Sequence, residues 1–90
     1  MKIILFYDIS SKPSNLNKVR KLCTKYLRHI QFSVFEGELE YSELKKLEKS
    51  ILKIIDKNKD SVIIFKFSMF KEENKVILGL NKNDFDGYNI

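Results

Sequence analysis

Two unbroken apolar runs, Lys2–Ile9 and Ser61–Ser68, constrain the fold of this chain more than any other feature. Each is rich in Ile, Val and Phe, lacks helical spacing and is bounded by polar residues, so each reads as a β-strand. Because the runs are continuous rather than alternating, both are expected to be buried on both faces and to lie centrally in a sheet. The first run reaches its only acid at Asp8 and gives way to a polar loop.

Between and around these strands the periodicity changes. Pro13 and Ser14 signal a helix start, and Leu16, Val19, Leu22, Cys23, Tyr26 and Leu27 recur at three- and four-residue spacing. Lys18, Arg20, Lys21, Lys25 and Arg28 fall on the other face of that helix. Gln31–Leu39 reads as a strand, with Gly37 marking either a hairpin turn or a bulge. Ser42 and Glu43 form an N-cap and first turn for a second helix. Leu44, Leu47, Ile51, Ile54 and Ile55 make its apolar stripe, and Lys45, Lys46, Glu48, Lys49 and Lys53 its outer face. A polar loop at Asp56–Asp60 precedes the second strong strand, and Lys75–Leu80 is a weaker strand. The order predicts an α+β sandwich of the βαββαβ type with an extra C-terminal strand and both helices on one face of an antiparallel sheet. Ninety residues form one domain, 1–90, of which 81–90 is a tail that either frays or pairs with a neighbouring protomer. Apolar residues on both sides of the strands require a cover for the second sheet face, and a second copy of the chain is the simplest one.

Charge and residue types narrow the chemistry. The net charge of +5 is uneven: residues 1–35 carry +6, with Asp8 their only acid, and the remainder −1. A basic face built from Lys12, Lys18, Lys21, Lys25 and Arg28 either tracks nucleic-acid phosphates or is simply solvated. With one Cys there is no thiolate zinc cage and no internal disulfide, and Cys23 reads as core filler. One His and no Gly-rich phosphate loop leave neither a hydrolase triad nor a nucleotide cradle a foothold. No apolar run approaches the roughly 18 residues of a membrane span, so no membrane is expected and the cytoplasm is the expected location. Glu36, Glu38 and Glu40 alternate along one strand face, either as a cation comb or as the solvent face of an edge strand. Tyr7, Phe32 and Phe35 serve either as base-stacking surfaces or as core aromatics.

Asp8 is the most distinctive acid. A carboxylate at a strand terminus either caps the following loop or contributes to a Mg²⁺ site, and one carboxylate is a weak site. Two copies facing across a twofold axis would supply two carboxylates to one ion and create a symmetric site for a phosphodiester.

Tyr7-Asp8-Ile9-Ser10, Lys18-Val19 with Leu22, the run Gln31-Phe32-Ser33-Val34-Phe35-Glu36-Gly37-Glu38-Leu39 leading into Ser42-Glu43-Leu44, and Asp60-Ser61-Val62 together resemble the small CRISPR-associated adaptation proteins, the second protein of that module. The resemblance covers residues 1 to about 67. It implies a ferredoxin-like homodimer, Asp8 as catalytic residue and Mg²⁺ ligand in each protomer, and Tyr7, Ser10, Ser33 and Phe35 in support. It further implies metal-dependent endonuclease cleavage of single-stranded RNA or double-stranded DNA, and partnership with the module's integrase during spacer acquisition. A non-catalytic scaffold bridging integrase and DNA is the alternative, and a toxin-like ribonuclease of the virulence-associated protein D type shares the fold and the strand-end Asp. The chain departs from the family pattern at Asn15, Leu16, Asn17 and His29, where relatives often carry Arg.

Overall fold

The computed structural model describes residues 1–68 and 71–80. Along the chain these form β1 (Lys2–Asp8), α1 (Pro13–Tyr26), β2 (Arg28–Gln31), β3 (Val34–Glu38), α2 (Tyr41–Ile54), β4 (Ser61–Ser68) and β5 (Lys71–Gly79). The sheet order is β2-β3-β1-β4-β5, with every neighbouring pair antiparallel. Strands β1 and β4 are therefore interior to the sheet, and β1–β4 is a ferredoxin-like βαββαβ frame extended by β5. The expected tail at 81–90 lies outside the described residues.

One core joins the sheet to the helices. Ile3, Leu5 and Tyr7 of β1, Phe35 of β3, and Val62 and Ile64 of β4 face Val19 and Cys23 of α1 and Leu44, Leu47 and Ile51 of α2. Register explains the layering: Leu5 pairs with Phe35 on one side and Ile64 on the other, so every second residue of three adjacent strands enters the same layer. Burial pushes the Cys23 thiol up to about 12, which keeps it neutral and suits the filler role.

The intervening positions Ile4, Phe6, Val34, Ile63, Phe65 and Ile77 occupy the opposite face and are only partly covered, with Phe6 38% exposed. β1 is central as expected, but within one chain only its helix-facing side is buried. The continuous apolar pattern thus reports a face that one copy leaves open.

Several boundaries differ from expectation for identifiable reasons. α1 ends at Tyr26, so Arg28 belongs to β2 and not to the helical basic face. The hairpin turn is Phe32–Ser33, and Gly37 is an ordinary β3 position opposite Ile3. Gly37 is small because the chain leaving α1 crosses it: a Cβ there would lie 2.9 Å from Leu27 Cδ2. The bulge falls in β2, where the register slips between His29 and Gln31. α2 is capped by Glu40, whose backbone N–H donates to Glu43 Oε1 at 2.9 Å, rather than by Ser42. Glu48 belongs to the buried side of α2, its Oε1 3.4 Å from Lys45 Nζ. The last strand starts at Lys71 instead of Lys75.

Gly79 ends β5 at φ +86°, where an added Cβ would run into the Asp60 carbonyl oxygen that accepts the Leu80 N–H. Gly79→Ala is expected to cost about 2–3 kcal/mol. Urea unfolding should show a lowered midpoint with an unchanged slope.

Candidate active site

Asp8 is the last residue of β1, opposite Ser61 of β4. Tyr7 before it is buried toward the helices, so strand alternation puts Asp8 on the open sheet face with Ile4 and Phe6, and it is exposed. Among the described residues no three His, Cys, Asp or Glu side chains gather into a metal cage.

What holds this strand end is a buried carboxylate from elsewhere. Asp60 is fully buried and accepts four hydrogen bonds: from the N–H of Ser10 (2.8 Å) and Ser11 (2.9 Å), the Ser11 hydroxyl (2.6 Å) and the N–H of Asp56 (2.8 Å). Ser10 Oγ donates to the Lys59 carbonyl, and Asn15 Nδ2 to Ser11 Oγ. The loop that follows Asp8 is thereby tied to the loop that opens β4. Burial pushes the Asp60 carboxyl up, but the donors from Asp56, Ser11 and Ser10 together outweigh it and hold it below the usual carboxylate range.

The other expected site residues divide by layer. Lys18, Lys21 and Lys25 are exposed on α1 and, with Leu22 and Ile54, line a hollow of about 490 Å³ between the two helices, on the side of the molecule away from the open sheet face. Lys12 is the N-cap of α1, close in sequence to the Asp8 loop. Arg28 is bound up with a carboxylate, its Nη2 2.6 Å from Glu36 Oε2, and this bond draws the Glu36 carboxyl below its ordinary value. Glu38 is 3.6 Å from the terminal ammonium and Glu40 lies beyond the strand, so the three glutamates do not form one comb.

Tyr7 and Phe35 are core residues 5.9 Å apart, with burial raising the Tyr7 phenol. Phe35 in turn stacks on His29 at 4.7 Å. Ser10 is a loop anchor, and the Ser33 carbonyl accepts the Tyr7 N–H at 3.1 Å, which fixes the β2–β3 turn beside the end of β1. The sequence reading missed Asp60 as an organising residue. Its one signal is an acid directly before a buried strand, with a Ser-Ser pair available after the other.

A family model described as CRISPR associated protein Cas2 matches residues 1–75. The chain belongs to the Cas2 family. The Cas2 protein of Methanocaldococcus jannaschii, named a CRISPR-associated endoribonuclease, is 41% identical over 96% of this chain and 74% of its own length. Its namesake from Pyrococcus furiosus is 40% identical over 96% of both chains. Among solved structures, Cas2 of Streptococcus pyogenes superposes with a TM-score of 0.69 at 29% identity, covering 76% of this chain and 87% of that one. A hypothetical protein, TT1823 of Thermus thermophilus, gives 0.70 at 25% identity, covering 84% and 92%. The Cas2 match supports the ferredoxin-like reading and takes in both Asp8 and Asp60.

Asp60→Asn replaces an acceptor-only group with one that turns an NH₂ toward donors. It is expected to cost about 3 kcal/mol, seen as a fall in Tm of at least about 10 °C. Because the folded carboxyl titrates below its unfolded value of about 3.9, its stabilisation is present above that pH and lost as pH falls through the lower folded value. Acid titration of stability should therefore show a smaller loss below about pH 4 in Asp60→Asn than in the unmodified chain.

Proposed function

We propose that this Cas2 protein acts in CRISPR adaptation as a homodimeric, metal-dependent endonuclease whose paired Asp8 carboxylates form the catalytic centre. The observation that carries this reading is the position of Asp8 on the sheet face that one copy leaves uncovered. Ile4, Phe6, Val34, Ile63 and Phe65 make that face apolar, and Phe6 and Phe65 already meet edge to face at 5.9 Å. Covering it with a second copy would bury apolar area at roughly 25 cal/mol per Å² and bring Asp8 of both protomers to one interface.

One copy offers a cation a single strand-end carboxylate. Two offer two acidic oxygen donors with water completing the shell, which fits Mg²⁺. The bound ion would supply an activated water and charge compensation at the phosphodiester. The chain's own part is to hold the two carboxylates in place through the Asp60 knot and to offer the substrate backbone the ammonium of Lys12 at the start of α1. The endoribonuclease names of the relatives favour single-stranded RNA over duplex DNA as the substrate.

The layering supports a second role. Lys18, Lys21 and Lys25 are on the helix side, remote from the face that carries Asp8, so they suit phosphate tracking separate from cleavage. That arrangement fits a dimer that lies along a duplex while the module's integrase binds at its edges.

Asp8→Asn is expected to lower Mg²⁺-dependent cleavage of single-stranded RNA by about 100-fold or more while sedimentation still reports a dimer. Equal cleavage by both proteins would exclude Asp8 chemistry. Replacing Lys18, Lys21 and Lys25 together by Gln should flatten the log–log salt dependence of duplex binding by about 2–3 units, near 0.9 for each phosphate no longer neutralised.

A further inference from the structure

Among the described residues Phe32 is the most exposed of the large hydrophobic side chains. It is 82% exposed at the tip of the β2–β3 hairpin, and among the described residues its ring stacks on no other, whereas Tyr7, Phe35 and Phe65 each have an aromatic partner. Its backbone is held at φ +42°, the only positive φ among the described non-glycine residues. Gly, Asn or Asp normally takes such a turn position, and a Phe there costs roughly 1–2 kcal/mol. The strain is actively maintained. The Phe32 carbonyl accepts from His29 Nε2, which fixes the proton on that nitrogen, while the His29 ring is clamped against Phe35. Next to Phe32, the bulge residue Ile30 is 48% exposed.

The location gives this ring a use. The Tyr7 N–H donates to the Ser33 carbonyl, so the hairpin tip stands beside the end of β1 that carries Asp8. A solvated aromatic face beside a strand-end acid matches what an unpaired base needs: a stacking partner next to the backbone being handled.

We propose that Phe32 is a stacking platform for an unpaired base of single-stranded nucleic acid, selecting single strands over duplexes at the Asp8 site. Only the link to cleavage rests on the nuclease reading above; base stacking is a binding property and stands or falls separately. A duplex keeps its bases stacked internally and gives the ring no face to meet.

The test is a binding experiment in chelator, so that cleavage plays no part. The chain has no Trp, so Phe32→Trp makes a single fluorescent reporter. Its emission should be quenched by a short single-stranded RNA or DNA oligonucleotide and not by the matching duplex at equal phosphate concentration. Phe32→Asn removes the ring and relieves the left-handed strain, so it should be as stable as the unmodified chain or more so. It should bind the single strand about tenfold or more weakly, with duplex binding unchanged, and Phe32→Tyr should restore single-strand affinity. Unchanged single-strand affinity in Phe32→Asn, or equal quenching by duplex, overturns the proposal. A shift of Phe32→Asn from dimer to monomer in sedimentation without loss of single-strand affinity would also overturn it, making the ring a contact between copies. Failure of Asp8→Asn to reduce cleavage, with the Phe32 results as expected, would sink the nuclease reading and leave the platform standing.

Discussion

The four hydrogen bonds to the Asp60 carboxylate are the constraint on which the site's geometry depends. A buried carboxylate is costly unless its lone pairs are met, and here three donors come from Ser10 and Ser11 at the far end of the chain's first strand. The cost of burying the charge is thereby offset only when the β1–α1 loop and the α2–β4 loop are in register. That requirement fixes where β1 stops and hence where Asp8 projects. The same loop supports the far edge of the sheet, because the Asp60 carbonyl accepts the Leu80 N–H at the end of β5. One residue thus joins three strand ends.

Alternation across the sheet then assigns separate tasks to the two faces. Helix-facing positions of β1, β3 and β4 are filled with Ile, Leu, Phe and Val and close the core. The opposite positions carry a second apolar set without the means to bury it, together with the strand-end acid. The lysine row of α1 is on neither sheet face, so the basic row and the strand-end acid have separate surfaces. Such a division puts Lys18, Lys21 and Lys25 and the strand-end acid on opposite sides of the molecule.

The sequence carried the architecture well because its two strong signals, long apolar runs and helical spacing, arise from burial, which is decided by composition over many residues. It singled out Asp8 as a candidate because a lone acid closing an apolar run is conspicuous, and β1 does end at that residue. Other features turn on single local contacts. The Phe32–Ser33 turn has no Gly or Asn to announce it, so Gly37 looks like the turning point although its smallness serves the Leu27 approach. Arg28 extends the α1 charge pattern on spacing alone, because nothing in spacing reveals that Glu36 waits on the neighbouring strand. Glu48 keeps a helical outer spacing that the packed structure overrides. Asp60 needs two loops far apart in sequence to come together, which no window of residues contains.

The neutral residues that stand where relatives often carry Arg acquire a physical meaning from this arrangement. Asn15 donates to Ser11 Oγ and so joins the Asp60 knot; an Arg there would carry its charge past that hydroxyl. His29 stacks on Phe35 and donates to the Phe32 carbonyl, committing its ring to the hairpin instead of to a phosphate. Both side chains are thus committed to holding the loops beside Asp8. With the Ser10 and Ser11 N–H groups committed to Asp60, the proposed site would meet phosphate through Lys12, whose single ammonium is less directional than a guanidinium fork. A site short of bidentate phosphate clamps gains most from gripping its substrate by a base, the grip an exposed ring at the adjacent hairpin tip can provide.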